Sequence, residues 1–220
     1  MKLLLLIIIL IISPYIIWSQ NYHLSIKTGF SHSTQAANIS PVAHIRPIEK
    51  SIQSVFINIQ YNFPIKKNEL NVGLQLIEKG YRTEYDLFIN STNEHTDYQN
   101  SLSYIELPIN YLWVRKKINF ITGVIFSYMY DCNYRIKQTG INYGNPNIIF
   151  ATNFSDTYNI KNVRYNDLDF GVNIGFSKVI YENIELELTA QKHFIRIDKL
   201  RQRDLIFNTS LLLGIRYYFL

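Results

Sequence analysis

From Leu205 to Phe219 the chain alternates with a two-residue period. Leu205, Phe207, Thr209, Leu211, Leu213, Ile215, Tyr217 and Phe219 share one side, and Ile206, Asn208, Ser210, Leu212, Gly214, Arg216 and Tyr218 share the other. Successive side chains of a strand point to opposite faces, so this segment is a strand with one large apolar face and one small or polar face. It is longer than a mean soluble strand of about 5–6 residues and reaches the about 9–11 that a tilted membrane-crossing strand needs. Such a strand cannot cross alone, because lipid offers no partner for backbone N–H and C=O groups; only a closed barrel satisfies them all. The rest of the chain must therefore supply the other staves.

It carries seven more segments of the same kind. Together they fall at about residues 22–31, 52–63, 69–81, 101–113, 117–130, 167–179, 182–193 and 205–219. Their apolar faces include Val55, Ile57, Ile59, Tyr61 and Phe63 in the second, Leu70, Val72, Leu74 and Leu76 in the third, and Leu168, Phe170, Val172, Ile174 and Phe176 in the sixth. Opposite that last face lie Asp169, Gly171, Asn173, Gly175 and Ser177. The connections alternate in length: about 20 residues, five, about 20, three, about 36, two and eleven. An even strand number with alternating long loops and short turns predicts an all-β fold, an eight-stranded antiparallel up-and-down transmembrane barrel. A soluble sandwich would show turns every 8–12 residues. In this reading both ends of the chain lie on the periplasmic side.

Aromatic residues fall where two interfacial girdles belong. Phe63, Tyr111, Trp113, Phe120, Tyr217 and Phe219 are at the short-turn end, and Phe30, Tyr128, Phe170 and Phe207 at the long-loop end. Pro108, inside the fourth strand, cannot donate a ladder hydrogen bond, so irregular pairing is expected near Glu106 to Pro108.

Lys2 is followed by ten Leu or Ile residues, Leu3 to Ile12. A charged start with an apolar core too short to span is expected to be a secretory signal at residues 1–19, with the barrel domain at 20–220. The alternative is an uncleaved anchor. After residue 20 there is no run of 18 apolar residues, so any further crossing is by strands. The lone Cys132 provides no disulfide framework. A net charge of +5 dispersed over 22 basic residues does not suggest nucleic acid as a partner.

The order of several motifs carries a resemblance. Glu78-Lys79-Gly80-Tyr81, then Tyr104-Ile105-Glu106-Leu107-Pro108-Ile109 with Tyr111, then Phe170-Gly171 with Gly175, and the Tyr217-Tyr218-Phe219 ending together resemble the PorT-like outer-membrane β-barrel family, from about residue 22 onward. The resemblance implies a single barrel in the outer membrane of a Gram-negative bacterium, and it makes Pro108 part of a family pattern. It also implies, by analogy, a role in protein secretion, although fold does not fix function.

Some outer-membrane barrels act on lipid acyl chains, a chemistry that needs a nucleophile and a base within hydrogen-bond reach. His32 between Ser31 and Ser33, and His193 with Asp198, are the candidates, and neither makes a recognised motif. His23, His32, His44, His95 and His193 have no close pair at ligand spacing. No catalytic residue, metal or cofactor is therefore assigned.

The lumen is more informative. Lys27, Glu106, Asp169, Glu185, Glu187 and Arg216 all fall on inward registers, where charges must be paired or solvated. They are expected to form a structural ion-pair network, with Arg216 meeting Glu185 or Glu187 and Lys27 nearby; a gated conduit is the alternative. In the last outer loop, Arg196, Lys199, Arg201 and Arg203 are candidates for contact with lipid phosphate, against a merely solvated loop. The reading is a non-enzymatic outer-membrane barrel, acting as a secretion accessory or a surface interaction or structural protein. Its partners would be outer-membrane lipid and other envelope or secretion-system proteins. A lipid-modifying enzyme and a small passive pore are the rivals.

Overall fold

The computed structural model describes residues 23–37, 48–89, 92–115, 118–142, 152–159, 166–195 and 206–219. The expected export signal and the basic set Arg196, Lys199, Arg201 and Arg203 lie outside them, as does Asp198.

The strands are β1 (His23–Ala37), β2 (Ile48–Ile65), β3 (Asn68–Ile89), β4 (Thr92–Trp113), β5 (Asn119–Asn142), β6 (Thr152–Asn159), β7 (Leu168–Tyr181), β8 (Ile184–His193) and β9 (Ile206–Tyr218). All pairings are antiparallel. Eight strands close a ring in the order β1, β2, β3, β4, β5, β7, β8, β9 and back to β1. The remaining strand, β6, pairs with the distal part of β5, from Asn133 to Gly140, and lies outside the ring.

The ring's stagger can be followed residue by residue. Starting at His23, the lateral partners are Asn62, Asn71, Asn110, Gly123, Asn173, Gln191 and Ser210, and the path returns to β1 at Ser33. A circuit therefore climbs ten residues, from 23 to 33. For eight strands with ordinary strand rise and spacing, this stagger fixes a tilt of about 40° and a bore that side chains just fill. The lateral path itself is mostly carboxamides and small residues, which is why the interior reads as polar.

The outward registers are apolar. Val55 is 68% exposed and Ile174 67%, and Leu74, Phe120, Leu213 and Ile215 are also exposed. An uninterrupted apolar surface around a closed sheet cannot face water at this scale, so it faces lipid. Along β5 the belt runs from Phe120 to Tyr130, eleven residues. At the tilt above these span about 27 Å, close to the belt height of membrane barrels. At the short-turn end, ring pairs rim the belt: Tyr61 with Phe63, Tyr111 with Trp113, and Tyr217 with Phe219, with centroids 5.0, 5.0 and 5.2 Å apart. Phe126, Phe170 and Phe194 cluster toward the other end.

The expected long connections need correction: β5 runs on to Asn142, and β6 lies within the expected connection of about 36 residues. The connection between the third and fourth strands is not a 20-residue loop. β3 and β4 continue as one ladder to Ile89 and Thr92, well past the belt. There the outward face is charged and the inward face is polar, with Thr83 and Thr96 buried, so the apolar alternation that marks a strand disappears while backbone pairing persists. Polar cross-strand pairs take over. The Arg82 guanidinium donates to both Asp97 oxygens at 2.8 and 2.7 Å, and Lys50 meets Glu84 at 2.5 Å. The hydrogen bond to Asp97 holds the Arg82 guanidinium above its ordinary pKa.

The irregular pairing expected near Glu106 to Pro108 is present, as a local break rather than a bulge. Pairing with β3 runs Val72 to Ile109 and resumes at Gln75 to Glu106, with no shift between them. The ladder skips Leu107 and Pro108, and the unchanged register places Gly73 opposite the proline. The missing N–H costs a local pairing and leaves the β5 side continuous. Register shifts occur instead between Ser51 and Phe56 on β2, and at Ser103/Tyr104 against β5, where Met129 and Asp131 flank Tyr130.

Glycine is required at the closing seam. Gly29 pairs with Gly214 across β1 and β9, and a Cβ on Gly29 would lie 2.0 Å from the Leu213 carbonyl oxygen. Above Gly214 sit the Phe56 ring and the Lys27 stem. The two strands that close the barrel approach through this bare pair.

Candidate functional site in the barrel lumen

Two charge clusters occupy the lumen, separated along the strands. The first lies toward the short-turn end. On β9, Arg216 donates to Glu185 at 2.9 Å and also to Glu187, both on β8. Lys27 of β1 reaches Glu187 at 2.7 Å, with its ammonium 5.5 Å from the Phe56 ring centroid. Glu185 further accepts from Asn119 at 2.8 Å, Ser177 at 2.5 Å and Tyr218 at 2.8 Å, while Thr189 donates to Glu187 at 2.7 Å. Arg216 is fully buried. Two carboxylates and two cations thus balance locally, and neutral donors fill the remaining lone pairs, as buried charges demand.

The second cluster is built around Lys79 of β3. Its ammonium donates to Glu106 at 2.6 Å, Gln191 at 3.0 Å and His193 Nε2 at 2.8 Å, using all three protons. Since lysine only donates, Nε2 accepts, and the imidazole proton sits on Nδ1, 3.1 Å from Asp169 Oδ2. Glu106 also accepts from Gln75 at 2.8 Å and Ser127 at 2.9 Å. Asp169 Oδ1 takes the backbone N–H groups of Phe170 and Ile195 at 2.8 and 3.2 Å. A chain of polar groups therefore runs from Gln75 through Glu106, Lys79 and His193 to Asp169.

The expected network residues separate into these two groups. Lys27, Glu185, Glu187 and Arg216 come together, whereas Glu106 and Asp169 belong to the other cluster. Lys79, Gln191 and His193 were not assigned to the lumen from sequence, although the period that places Glu185 inward continues to Gln191 and His193. Likewise, Leu70, Val72, Leu74 and Leu76 outward place Lys79 inward.

The lumen also holds an apolar block that the sequence reading did not foresee. Phe56, Ile77, Leu102, Tyr104, Met129, Cys132 and Leu212 form one buried cluster. The Tyr104 hydroxyl accepts from Asn208 at 2.9 Å, and its ring lies 5.8 Å from the Lys79 ammonium. Toward the short-turn end the wall is different: Gln60 and Asn71 are buried with both amide atoms unpartnered by protein. A carboxamide left so in a dry site costs about 1–3 kcal/mol, so this part of the bore is the part suited to water.

The serine and histidine weighed as a hydrolytic pair are split by the sheet. Ser31 and Ser33 are buried in the lumen, while His32 is exposed on the outer face. The other candidate base, His193, has its Nε2 occupied by Lys79. Among the described residues, three or more His, Cys, Asp or Glu side chains do not gather in a form that could hold a metal ion.

No protein-family model matches the chain, and no curated protein matches it. Solved structures similar to it include Neisserial surface protein A, at 12% identity over 89% of this chain and 97% of that one, with a TM-score of 0.40. The attachment invasion locus protein Ail of Yersinia pestis is 10% identical over 90% of this chain and 98% of that one, with a TM-score of 0.41. OprG of Pseudomonas aeruginosa is 10% identical over 90% and 95%, with a TM-score of 0.43. Likenesses of this size say nothing about function. The closed ring of pairings, its stagger and its apolar outer wall stand on this chain's own residues. The chain has the fold of an eight-stranded outer-membrane β-barrel.

Proposed function

We propose that this is a non-enzymatic outer-membrane protein, PorT-like in its sequence motifs, that works as a secretion accessory or surface interaction protein. Residues 1–19 direct export, the short turns face the periplasm, and the strand extension beyond the belt faces outward. The observation that carries the reading is the contrast between bore and extension. The bore is filled by two ion-paired charge clusters and the Phe56, Leu102 and Met129 block, which disfavours a passive pore. The extension of β3, β4 and β5 holds ordered, polar, paired strands in water, where a barrel needs none for its own closure. In this reading the ion pairs of the lumen are structural, and Arg196, Lys199, Arg201 and Arg203 contact lipid phosphate at the outer surface.

Photo-crosslinking groups placed at His95 and Arg135 on the extension, and at Ile174 in the belt, test this in intact cells. The expected result is a discrete protein adduct from the extension positions only. Lipid hydrolysis by purified protein, or steady ion conductance in planar bilayers, would instead favour the enzyme or the pore.

A further inference from the structure

We propose that a break in the outer wall of the barrel, at the outward edge of the belt, binds a phosphorylated, amide-acylated glycolipid of the lipid A class, with one acyl chain seated where the β2–β3 ladder is interrupted. The inference rests on the orientation proposed above, which puts this edge in the outer leaflet, where a Gram-negative outer membrane carries such lipid. Backbone pairing between β2 and β3 stops at Ser51 and Tyr81 and resumes at Phe56 and Ile77. In the gap, serine hydroxyls replace the ladder: Ser54 donates to the Glu78 carbonyl at 2.6 Å, and Ser33 accepts from the Gly80 N–H at 3.0 Å. Outside the gap lies a cavity of about 280 Å³, walled by Val55, Ile57, Leu76 and Tyr130 and reaching Phe56 and Ile77. Those last two belong to the buried apolar block behind the wall. An alkyl chain entering here meets apolar surface in depth. Beyond it, a cavity of about 450 Å³ is lined by Glu78, Gln99, Ser101, Ser103, Asn133 and Arg135. Glu78 and Ser103 line both, so the two are one groove.

The charges of this wall come in rows, and their order selects the occupant. At the belt edge Ser103 is flanked by Glu78 on β3 and Asp131 on β5, next Ser101 by Gly80 and Asn133, then Gln99 by Arg82 and Arg135. One row further out, Lys137 faces Asp97. Asp131 shares the outer wall with Tyr130 because the β5 irregularity inserts Tyr130 between the register partners Met129 and Asp131. Carboxylates at an apolar boundary need donors, and Asp131 takes one from the Asn133 amide at 2.8 Å. The amide N–H and hydroxyl groups beside the acyl linkages of a glycolipid supply others at this level. Arg82 is engaged by Asp97 and Glu84, whereas Arg135 is in no ion pair with another described residue. Its exposed guanidinium suits phosphate. The row of Gln99 lies about 13 Å along the strands from that of Ser103, beyond the screening length of about 8 Å in physiological salt. A phosphate on Arg135 therefore escapes the repulsion of Glu78 and Asp131, and sugar rings between phosphate and acyl chain supply that spacing. A glycerophospholipid carries its phosphate next to its chains, against both carboxylates.

The full-length protein is refolded, and barrel formation is checked by the mobility difference between heated and unheated samples. Native mass spectrometry then compares retained adducts of lipid A, dephosphorylated lipid A and phosphatidylglycerol, with EDTA present so that no divalent cation bridges phosphate to the carboxylates. Lipid A should be retained about tenfold better than either, as one charge-assisted hydrogen bond allows. Arg135→Gln should bring lipid A down to the level of its dephosphorylated form. Glu78→Gln with Asp131→Asn should lower both forms alike, because each loses its acceptors. Ser103→Trp, which fills the groove, should reduce all retained lipid, and Leu211→Trp, on the belt at β9, should change nothing. Equal retention of the three lipids by a folded barrel, a preference for phosphatidylglycerol, or full lipid A retention by Ser103→Trp would overturn the groove assignment. So would a rise in lipid A retention when the carboxylates are neutralised, which would put its phosphate against them. Failure of the wild-type chain to form a barrel would count against the membrane reading itself.

Discussion

Lys79→Ala is expected to destabilise the barrel by about 3–5 kcal/mol, the cost of removing one partner from a buried pair. All three ammonium protons are used, on Glu106, Gln191 and His193. Their loss leaves Glu106 with only the neutral donors Gln75 and Ser127. The apolar block beside this cluster, Tyr104 in particular, keeps water from substituting. Unfolding midpoints in detergent or by urea in vesicles measure the loss. Glu106→Gln in the same chain removes the uncompensated charge and should recover most of it. An undiminished midpoint for the single variant would mean that the Lys79 pocket is solvated or that β3 is in another register.

Arg216→Ala is expected to cost less, about 3 kcal/mol, the low end of that range. The two carboxylates it leaves behind are unequal. Glu187 keeps Lys27 and Thr189, whereas Glu185 retains only Asn119, Ser177 and Tyr218 as neutral donors. The bore at this end also contains Gln60 and Asn71 without protein partners, so water can reach the stranded charge. Rescue should therefore come from Glu185→Gln alone. Adding Glu187→Gln should undo part of the gain, because it strands Lys27. Equal rescue by either glutamate change would contradict this division of partners.

The outward half of the structure was legible because lipid imposes a strict rule. Every second residue from Leu211 to Phe219, or from Val55 to Phe63, must be apolar, and a period of two needs no tertiary information. That rule also fixed which residues face inward, so the Arg216 contacts with Glu185 and Glu187 could be anticipated from neighbouring strands. Where the rule ends, so did the reading. Arg82, Glu84 and Asp97 sit in a ladder past the belt, and polar residues on both faces look like loop in sequence.

The lumen's finer contents were obscured for two physical reasons. The ten-residue stagger brings Lys79 against His193, which lie on strands far apart in the ring, and a stagger cannot be read from one strand's pattern. The irregularity around Tyr130 also shifts register, carrying Cys132 inward. Cys132 fell in an expected loop, whereas Phe56 and Met129 already lay on inward registers beside outward Val55 and Tyr128. Pro108 marks a local break in the ladder at its own position, as its missing N–H predicts. Its effect is confined to two missing partners, because Gly73 faces it and the β5 side needs no N–H from it.

The most direct test of the account is which residues water, lipid and the cell exterior can reach. Single cysteines at His95 on the extension, Lys66 in the β2–β3 turn and Ile174 in the belt, each in a Cys132→Ser background, are treated in intact cells with a membrane-impermeant maleimide. The expected result is labelling of His95→Cys only. Lys66→Cys should react once the outer membrane is permeabilised, and Ile174→Cys only with a lipid-soluble reagent. Labelling of Ile174→Cys by the impermeant reagent would contradict a lipid-facing belt, and labelling of Lys66→Cys from outside would invert the barrel in the membrane.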